Sequence, residues 1–162
     1  MKKFPNIYKR IKENKSEIIV TLLWGALLSL IVLWRYYDSF YKDPILWRYK
    51  VPYSGIRGAG FSGTDFLIVF LISLVSGTLF VDFKKLLWSW LSALTIAGVI
   101  SITDLSLFFL IDLDICNRYY LYWDYAVFFA ILNIFRIIFP FGILISLAGG
   151  FLGVILRTFI GK

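Results

Sequence analysis

Four long apolar windows dominate this sequence, at residues 18–34, 66–83, 86–103 and 140–157. A bilayer core of about 30 Å takes about 20 residues of helix to cross, and each window is close to that length. Hydrophobic residues make up 60% of the chain, against about half in soluble proteins. A globule of 162 residues has too little interior to bury them. The sequence therefore predicts an all-α membrane protein in which residues 1–162 form one domain, a bundle of four transmembrane helices.

The first window has a competing interpretation as a cleavable signal peptide, because basic residues precede it. However, its apolar stretch is longer than the roughly 7–15 residues usual in a signal peptide. It also ends in the sequence Leu33-Trp34-Arg35-Tyr36 and not in a small-residue cleavage site. We therefore interpret this window as the first transmembrane span.

The distribution of Lys and Arg predicts the orientation, since cytoplasmic segments carry an excess of both. With the N-terminus inside, the inner segments hold most of the 17 Lys and Arg residues and few of the 10 Asp and Glu residues. We expect a multi-pass protein of the cell membrane with both termini in the cytoplasm and outer loops at 35–65 and 104–139. Anionic lipid headgroups suffice as partners for the basic N-terminus, so we expect no binding of nucleic acid.

The segment 124–157 is too long for one comfortable span and too short for two, and Pro140 divides it. We interpret 125–139 as an interfacial helix on the outer side that turns at Pro140 into the last span. Arg136 and Arg157 would then be separated by about 31 Å of helix, which matches one hydrocarbon thickness. The alternative is a single long kinked helix that carries Arg136 into the membrane.

Small residues recur at four-residue steps in the third and fourth windows, and such residues let helix backbones approach closely in lipid. These seams either pack the bundle internally or contact a neighbouring subunit, and the sequence leaves both possibilities open. The predicted helix-packing interface consists of Ser89, Ala93, Ala97, Ser101, Gly142, Ser146, Gly149, Gly150 and Gly153.

The predicted outer loops hold nearly all of the 10 tyrosines together with several Trp and Arg residues. An aromatic belt at the lipid headgroups explains part of this enrichment, but aromatic and Arg side chains are also favoured at protein interfaces. The candidate contacts with a partner or with lipid are Trp34, Arg35, Trp47, Arg48, Tyr49, Tyr119, Tyr120, Trp123 and Arg136.

Catalytic and metal-binding residue types are scarce, since the chain has no His and one Cys, Cys116. We therefore assign no catalytic residue, no metal ligand and no cofactor, and we expect a protein that is not an enzyme. The scarcity of thermolabile residues is a weak indication of heat adaptation.

These features favour a non-catalytic accessory or assembly subunit of a larger membrane complex, whose partners are other integral membrane subunits. It would dock through the small-residue seams and the aromatic outer surface. One alternative is a small oligomeric transporter or channel that uses Asp104, Asn133 and Arg136. A second alternative is an enzyme acting on a lipid-linked substrate at the outer face, where Asp112 and Asp114 could hold a divalent cation.

Overall fold

The computed structural model of this chain describes residues 15–42, 61–111 and 123–160, and all of its regular structure in these ranges is helical. Three of its helices are long and apolar enough to cross a membrane, namely Lys15–Lys42, Phe83–Ile111 and Phe141–Ile160. The predicted class, an all-helical protein with membrane-type helices, is confirmed. The helices are α1 (Lys15–Lys42), α2 (Gly63–Thr78), α3 (Phe83–Ile111), α4 (Trp123–Ile138) and α5 (Phe141–Ile160).

Two helices extend well beyond their apolar windows. The helix α1 continues past Trp34 to Lys42, and α3 continues past Asp104 to Ile111. Buried side chains such as Phe40 and Phe109 pack in these extensions against α4, so the additional turns are stabilised by tertiary contacts. Parts of the predicted outer loops are therefore helical.

The window 66–83 contains the end of one helix and the beginning of the next. The helix α2 has 16 residues and ends at Thr78, although the following residues are apolar. A new helix begins because the Asp82 side chain accepts a hydrogen bond from the backbone N–H of Lys84 at 3.1 Å, which is the geometry of an N-terminal cap. Hydropathy alone could not show this break, since the turn includes Leu79 and Val81.

The helices α1 and α3 run in one direction, and α2 and α5 run in the other. Glu17 of α1 meets Lys85 of α3 at one end, and Tyr37 meets Asp104 at the other. In the second pair, the rings of Phe66 and Phe141 are 6.4 Å apart at the beginning of both helices. Arg157 then reaches the carbonyl oxygen of Thr78 at their ends.

These contacts define the two ends of the bundle. The basic end is the one that carries Glu17, Lys85 and Arg157. The aromatic end is the one that carries Arg35, Tyr37, Asp65 and Asp104.

The most extensive helix contact is between α2 and α5, and glycines lie on both sides of it. A Cβ atom placed on Gly149 would lie 2.6 Å from the carbonyl oxygen of Phe70, and one on Gly153 would lie 2.8 Å from the Cα of Gly77. The two backbones therefore touch directly. The contact between α1 and α3 is next in extent, and there a Cβ on Gly25 would lie 2.9 Å from the Ala93 carbonyl oxygen.

Two buried clusters follow one another along the bundle axis. The cluster towards the basic end includes Trp24, Leu28, Val69, Phe80, Leu86, Ala93, Ala97 and Val154. The cluster towards the aromatic end joins α1, α3 and α4, and it includes Tyr36, Phe40, Leu105, Phe108, Phe109, Ala126, Ala130, Ile134 and Ile137.

We predict that Gly153→Ala destabilises the protein strongly, while Gly98→Ala does not. The added methyl at Gly153 would collide with backbone atoms of α2, whereas a Cβ on Gly98 meets nothing within 4 Å. Overpacking costs about 1–3 kcal/mol or more, and alanine is intrinsically the better helix former by about 1 kcal/mol. Thermal unfolding in detergent measures both effects, and equal transition temperatures for the two variants would contradict the close contact.

Candidate functional site

A network of charged side chains lies at the aromatic end and ties α1 to α2. Arg35 Nε is 3.6 Å from Asp65 Oδ2, and Arg35 Nη1 is 3.6 Å from Asp38 Oδ2. Lys42 Nζ lies 2.8 Å from the other oxygen of Asp38. These side chains are all partly shielded except Lys42, so the pairs hold the ends of the two helices together.

Asp65 also completes the N-terminal cap of α2, in addition to its contact with Arg35. Its Oδ2 accepts hydrogen bonds from the backbone N–H of Ser62 at 2.7 Å and from the Ser62 hydroxyl at 2.6 Å. In return, the Ser62 side chain accepts from the Asp65 backbone N–H at 3.3 Å, which forms a capping box. One carboxylate thus fixes both the start of α2 and its position beside Arg35.

Asp104, a candidate pathway residue in the sequence, is bound within the chain. The hydroxyl of Tyr37 donates a hydrogen bond of 2.6 Å to its Oδ2. The ring of Tyr37 is held edge-on against Phe108, with 5.1 Å between ring centroids. Asp104 therefore joins α3 to α1 at the aromatic end.

A chain of hydrogen bonds crosses the middle of the bundle and joins three helices. The indole N–H of Trp24 donates to Ser73 Oγ at 3.2 Å, and Ser73 Oγ lies 3.0 Å from Ser146 Oγ. All three side chains are buried. Because a buried indole N–H and a buried hydroxyl need partners, this chain fixes the rotation of α1, α2 and α5 against one another.

The bundle contains a small apolar cavity of about 30 Å³ beside the Trp24–Ser73–Ser146 hydrogen bonds. Ser146 is the polar side chain among its lining residues, and none of Asp104, Asn133 and Arg136 lines it. The cavity is lined by Leu28, Val32, Phe61, Val69, Leu94, Ala97, Ile138, Gly142 and Ser146.

The basic end has its own polar contacts. Lys85 Nζ is 2.7 Å from Glu17 Oε1. Arg157 Nη1 donates to the carbonyl oxygens of Leu79 at 2.6 Å and Thr78 at 3.3 Å. These carbonyls close α2, and a cation at a helix C-terminus is favourable. Arg157 thereby ties the end of α2 to α5.

The predicted seam residues lie mostly in helix contacts within the chain. Ala93, Ala97 and Ser101 of α3 are buried, and Ser89 is half-buried. The seam of α5 is buried, and its residues Gly149 and Gly153 pack on the backbone of α2. The two seams thus pack mainly against the first and second helices, because α3 and α5 have little contact with each other.

The predicted outer-surface residues separate into three groups. Trp34, Trp123 and Arg136 are exposed, whereas Arg35 is half-buried and paired with two carboxylates. The remaining candidates lie outside the described residues, and so do the acidic pair and the cysteine of the second outer loop: Trp47, Arg48, Tyr49, Asp112, Asp114, Cys116, Tyr119 and Tyr120.

Within 15–42, 61–111 and 123–160, no group of three acidic or Cys side chains lies close enough together to hold a metal ion. Comparison with protein-family models, curated proteins and solved structures finds no match to this chain.

Some of these contacts could have been anticipated from the sequence and others could not. The spacing of Ser62 and Asp65 is that of a capping box, which indicates the start of α2. Nothing in the sequence pairs Arg35 with Asp65, or Trp24 with Ser73, because each pair joins residues about thirty or more positions apart.

We predict that Ser73→Ala lowers the free energy of unfolding by about 1–3 kcal/mol. The change leaves the buried Trp24 N–H without its acceptor and Ser146 without its partner. Ser92→Ala is the matched control, because its exposed hydroxyl bonds only to the carbonyl of Trp88 in its own helix. Chemical unfolding in detergent compares the two, and an equal loss would rule out the interhelical chain as a source of stability.

Proposed function

We propose that this chain is a non-catalytic accessory or assembly subunit of a larger integral membrane complex. Four helices cross the membrane, and a fifth lies at its outer boundary with both termini of the chain in the cytoplasm. The observation that carries the proposal is a compact platform at the aromatic end, formed by α4 with the ends of α1 and α3. It presents exposed aromatic side chains.

The spacing of the polar contacts supports four spans. From Glu17 to Arg35, both of which form ion pairs with other helices, α1 rises about 27 Å, close to the about 30 Å of a bilayer core. The helix α2 runs between the same two levels, from its cap at Ser62 to the carbonyl oxygens held by Arg157. Its 16 residues are few for a span, and the polar contacts at both ends suit this short length.

The platform lies beyond the level of Arg35 and Asp104. Tyr36 and Phe40 of α1 and Phe108 and Phe109 of α3 are buried there. Small residues of α4 pack onto them through Ala126 and Ala130. Such a dry aromatic core gives the platform a fixed shape, which a docking surface requires.

The surface of the platform carries large exposed side chains. Tyr41 of α1 and Tyr125 and Phe128 of α4 expose about half of their surfaces. Trp123 is similarly exposed at the start of α4. Exposed aromatic side chains that become buried on binding supply much of the binding energy of protein interfaces. The exposed aromatic residues of the platform therefore favour binding to a partner protein.

The interior favours an accessory role over transport. Between the two ends, the buried polar groups of the described side chains are hydroxyls and the indole N–H groups of Trp24 and Trp90. The ionisable groups Asp104 and Asp65 are paired at the aromatic end. A transporter would need polar groups along a continuous path, and the cavity at the centre is small and apolar.

The proposed topology predicts that Lys84 and Asp124 lie on opposite faces of the membrane. Both side chains are exposed, so cysteines at these positions in a Cys116→Ser background will react readily. In intact cells a membrane-impermeant maleimide should label Asp124→Cys, and it should label Lys84→Cys only after lysis. Labelling of both from one side would contradict the topology.

The docking role predicts that Tyr125→Ala with Phe128→Ala reduces recovery of a partner. A tagged full-length chain is isolated from native membranes in mild detergent, and integral membrane proteins that accompany it are quantified by mass spectrometry. We expect at least a tenfold loss of the partner, about 1.4 kcal/mol. Leu144→Ala is the control, because Leu144 is exposed on α5 away from the platform.

Two outcomes would contradict the docking role. The first is recovery of the wild-type chain as a folded monomer without accompanying membrane proteins. The second is equal recovery of the same proteins with the double variant and with the Leu144 variant.

A further inference from the structure

Arg136 differs from the other arginines of the described ranges in its environment. Arg35 pairs with two carboxylates, and Arg157 bonds to two carbonyl oxygens. Arg136 is exposed on α4 and makes neither an ion pair nor a hydrogen bond within the described part of the chain. With respect to the described residues, all five donors of its guanidinium group are available.

Its position is at the level of the Arg35–Asp65 pair. Ile138, half a turn further along, lies 3.5 Å from the Cβ position of Gly142, and Phe61 lies 2.9 Å from the same point. Phe61 directly precedes Ser62, whose hydroxyl bonds to Asp65. Arg136 therefore belongs to the polar layer at the aromatic end, where the proposed membrane boundary runs.

The side chains next to Arg136 are apolar and exposed. Phe135 and Phe139 stack on each other with ring centroids 4.6 Å apart and an angle of 14° between the ring planes. Leu132 is exposed one turn earlier. The one acidic residue of this helix, Asp124, is about 18 Å away along the helix, so it cannot neutralise Arg136.

We propose that Arg136 binds the phosphate of a membrane phospholipid, with the neighbouring phenyl rings against its acyl chains. The planar guanidinium group donates two parallel hydrogen bonds to phosphate oxygens. A long Arg stem lets the charge reach the headgroup layer while the helix body remains in apolar surroundings. The bound lipid anchors α4 at the membrane boundary. This inference requires the proposed membrane position of the aromatic end, but it does not require a partner protein.

The test measures lipid binding to the full-length, delipidated protein by native mass spectrometry. Phosphatidylglycerol is titrated against wild type, Arg136→Gln and Arg136→Lys. We expect at least a fivefold loss of affinity for the tightest-bound lipid with Arg136→Gln and a smaller loss with Arg136→Lys, which keeps the charge but not the paired donors. Asp124→Asn is the control, because it removes an exposed charge from the same helix and should not weaken binding.

Two further titrations identify the chemistry that is recognised. Diacylglycerol with the same acyl chains lacks the phosphate, so its binding should not distinguish wild type from Arg136→Gln. Inorganic phosphate in excess should not displace phosphatidylglycerol, since the acyl chains contribute to the proposed site.

Several outcomes would overturn the proposal. Equal phosphatidylglycerol affinity of wild type and Arg136→Gln would do so, and so would displacement by inorganic phosphate. Unchanged lipid binding combined with loss of the partner protein in Arg136→Gln would show that Arg136 pairs with a protein. Loss of the partner in Tyr125→Ala with Phe128→Ala is independent of these results, so the docking role and the lipid site fail separately.

Discussion

The direct contact between the backbones of α2 and α5 is the interaction on which the rest of this structure depends. The helix α2 is about 24 Å long, and in its proposed membrane position there would be little hydrophobic force to hold a helix of this length in place. Glycines such as Gly77 and Gly153 let the two backbones touch in the second half of each helix. Since α4 leads directly into α5 at Pro140, this contact also determines where α4 begins to pack on α1 and α3.

Polar contacts then fix the positions of the helices along the bundle axis and their rotation, which close packing alone does not determine. The Arg35–Asp65 pair and the Arg157 contacts hold α2 at its two ends, and Ser73 connects its middle to Trp24 and Ser146. A hydrogen bond in an apolar medium cannot be exchanged for one to water, which makes an unpaired group costly. The three levels of contact thus define both the height and the rotation of the helices.

The same arrangement suggests how function is distributed along the molecule. The part between the two polar layers is packed and apolar, while the part beyond Arg35 is a separate aromatic core with α4 on its surface. A rigid membrane-anchored platform suits a protein that positions or assembles another protein. Arg136, at the boundary between these parts, would hold the platform against the lipid headgroups.

The sequence by itself determined the helical class, the apolar windows and the small-residue seams, because these depend on local composition and on helical periodicity. Only the tertiary structure decided which seams meet. The four-residue spacing of small residues around Ala93 and Gly150 shows that α3 and α5 each have a face lined by small residues. This spacing does not indicate which helix packs against that face. The same reason applies to the extra turns of α1 and α3, which are stabilised by side chains of α4 that lie far away in the chain. Pairings such as Arg35 with Asp65 depend on the relative heights of two helices, and those heights follow from packing that no single segment contains.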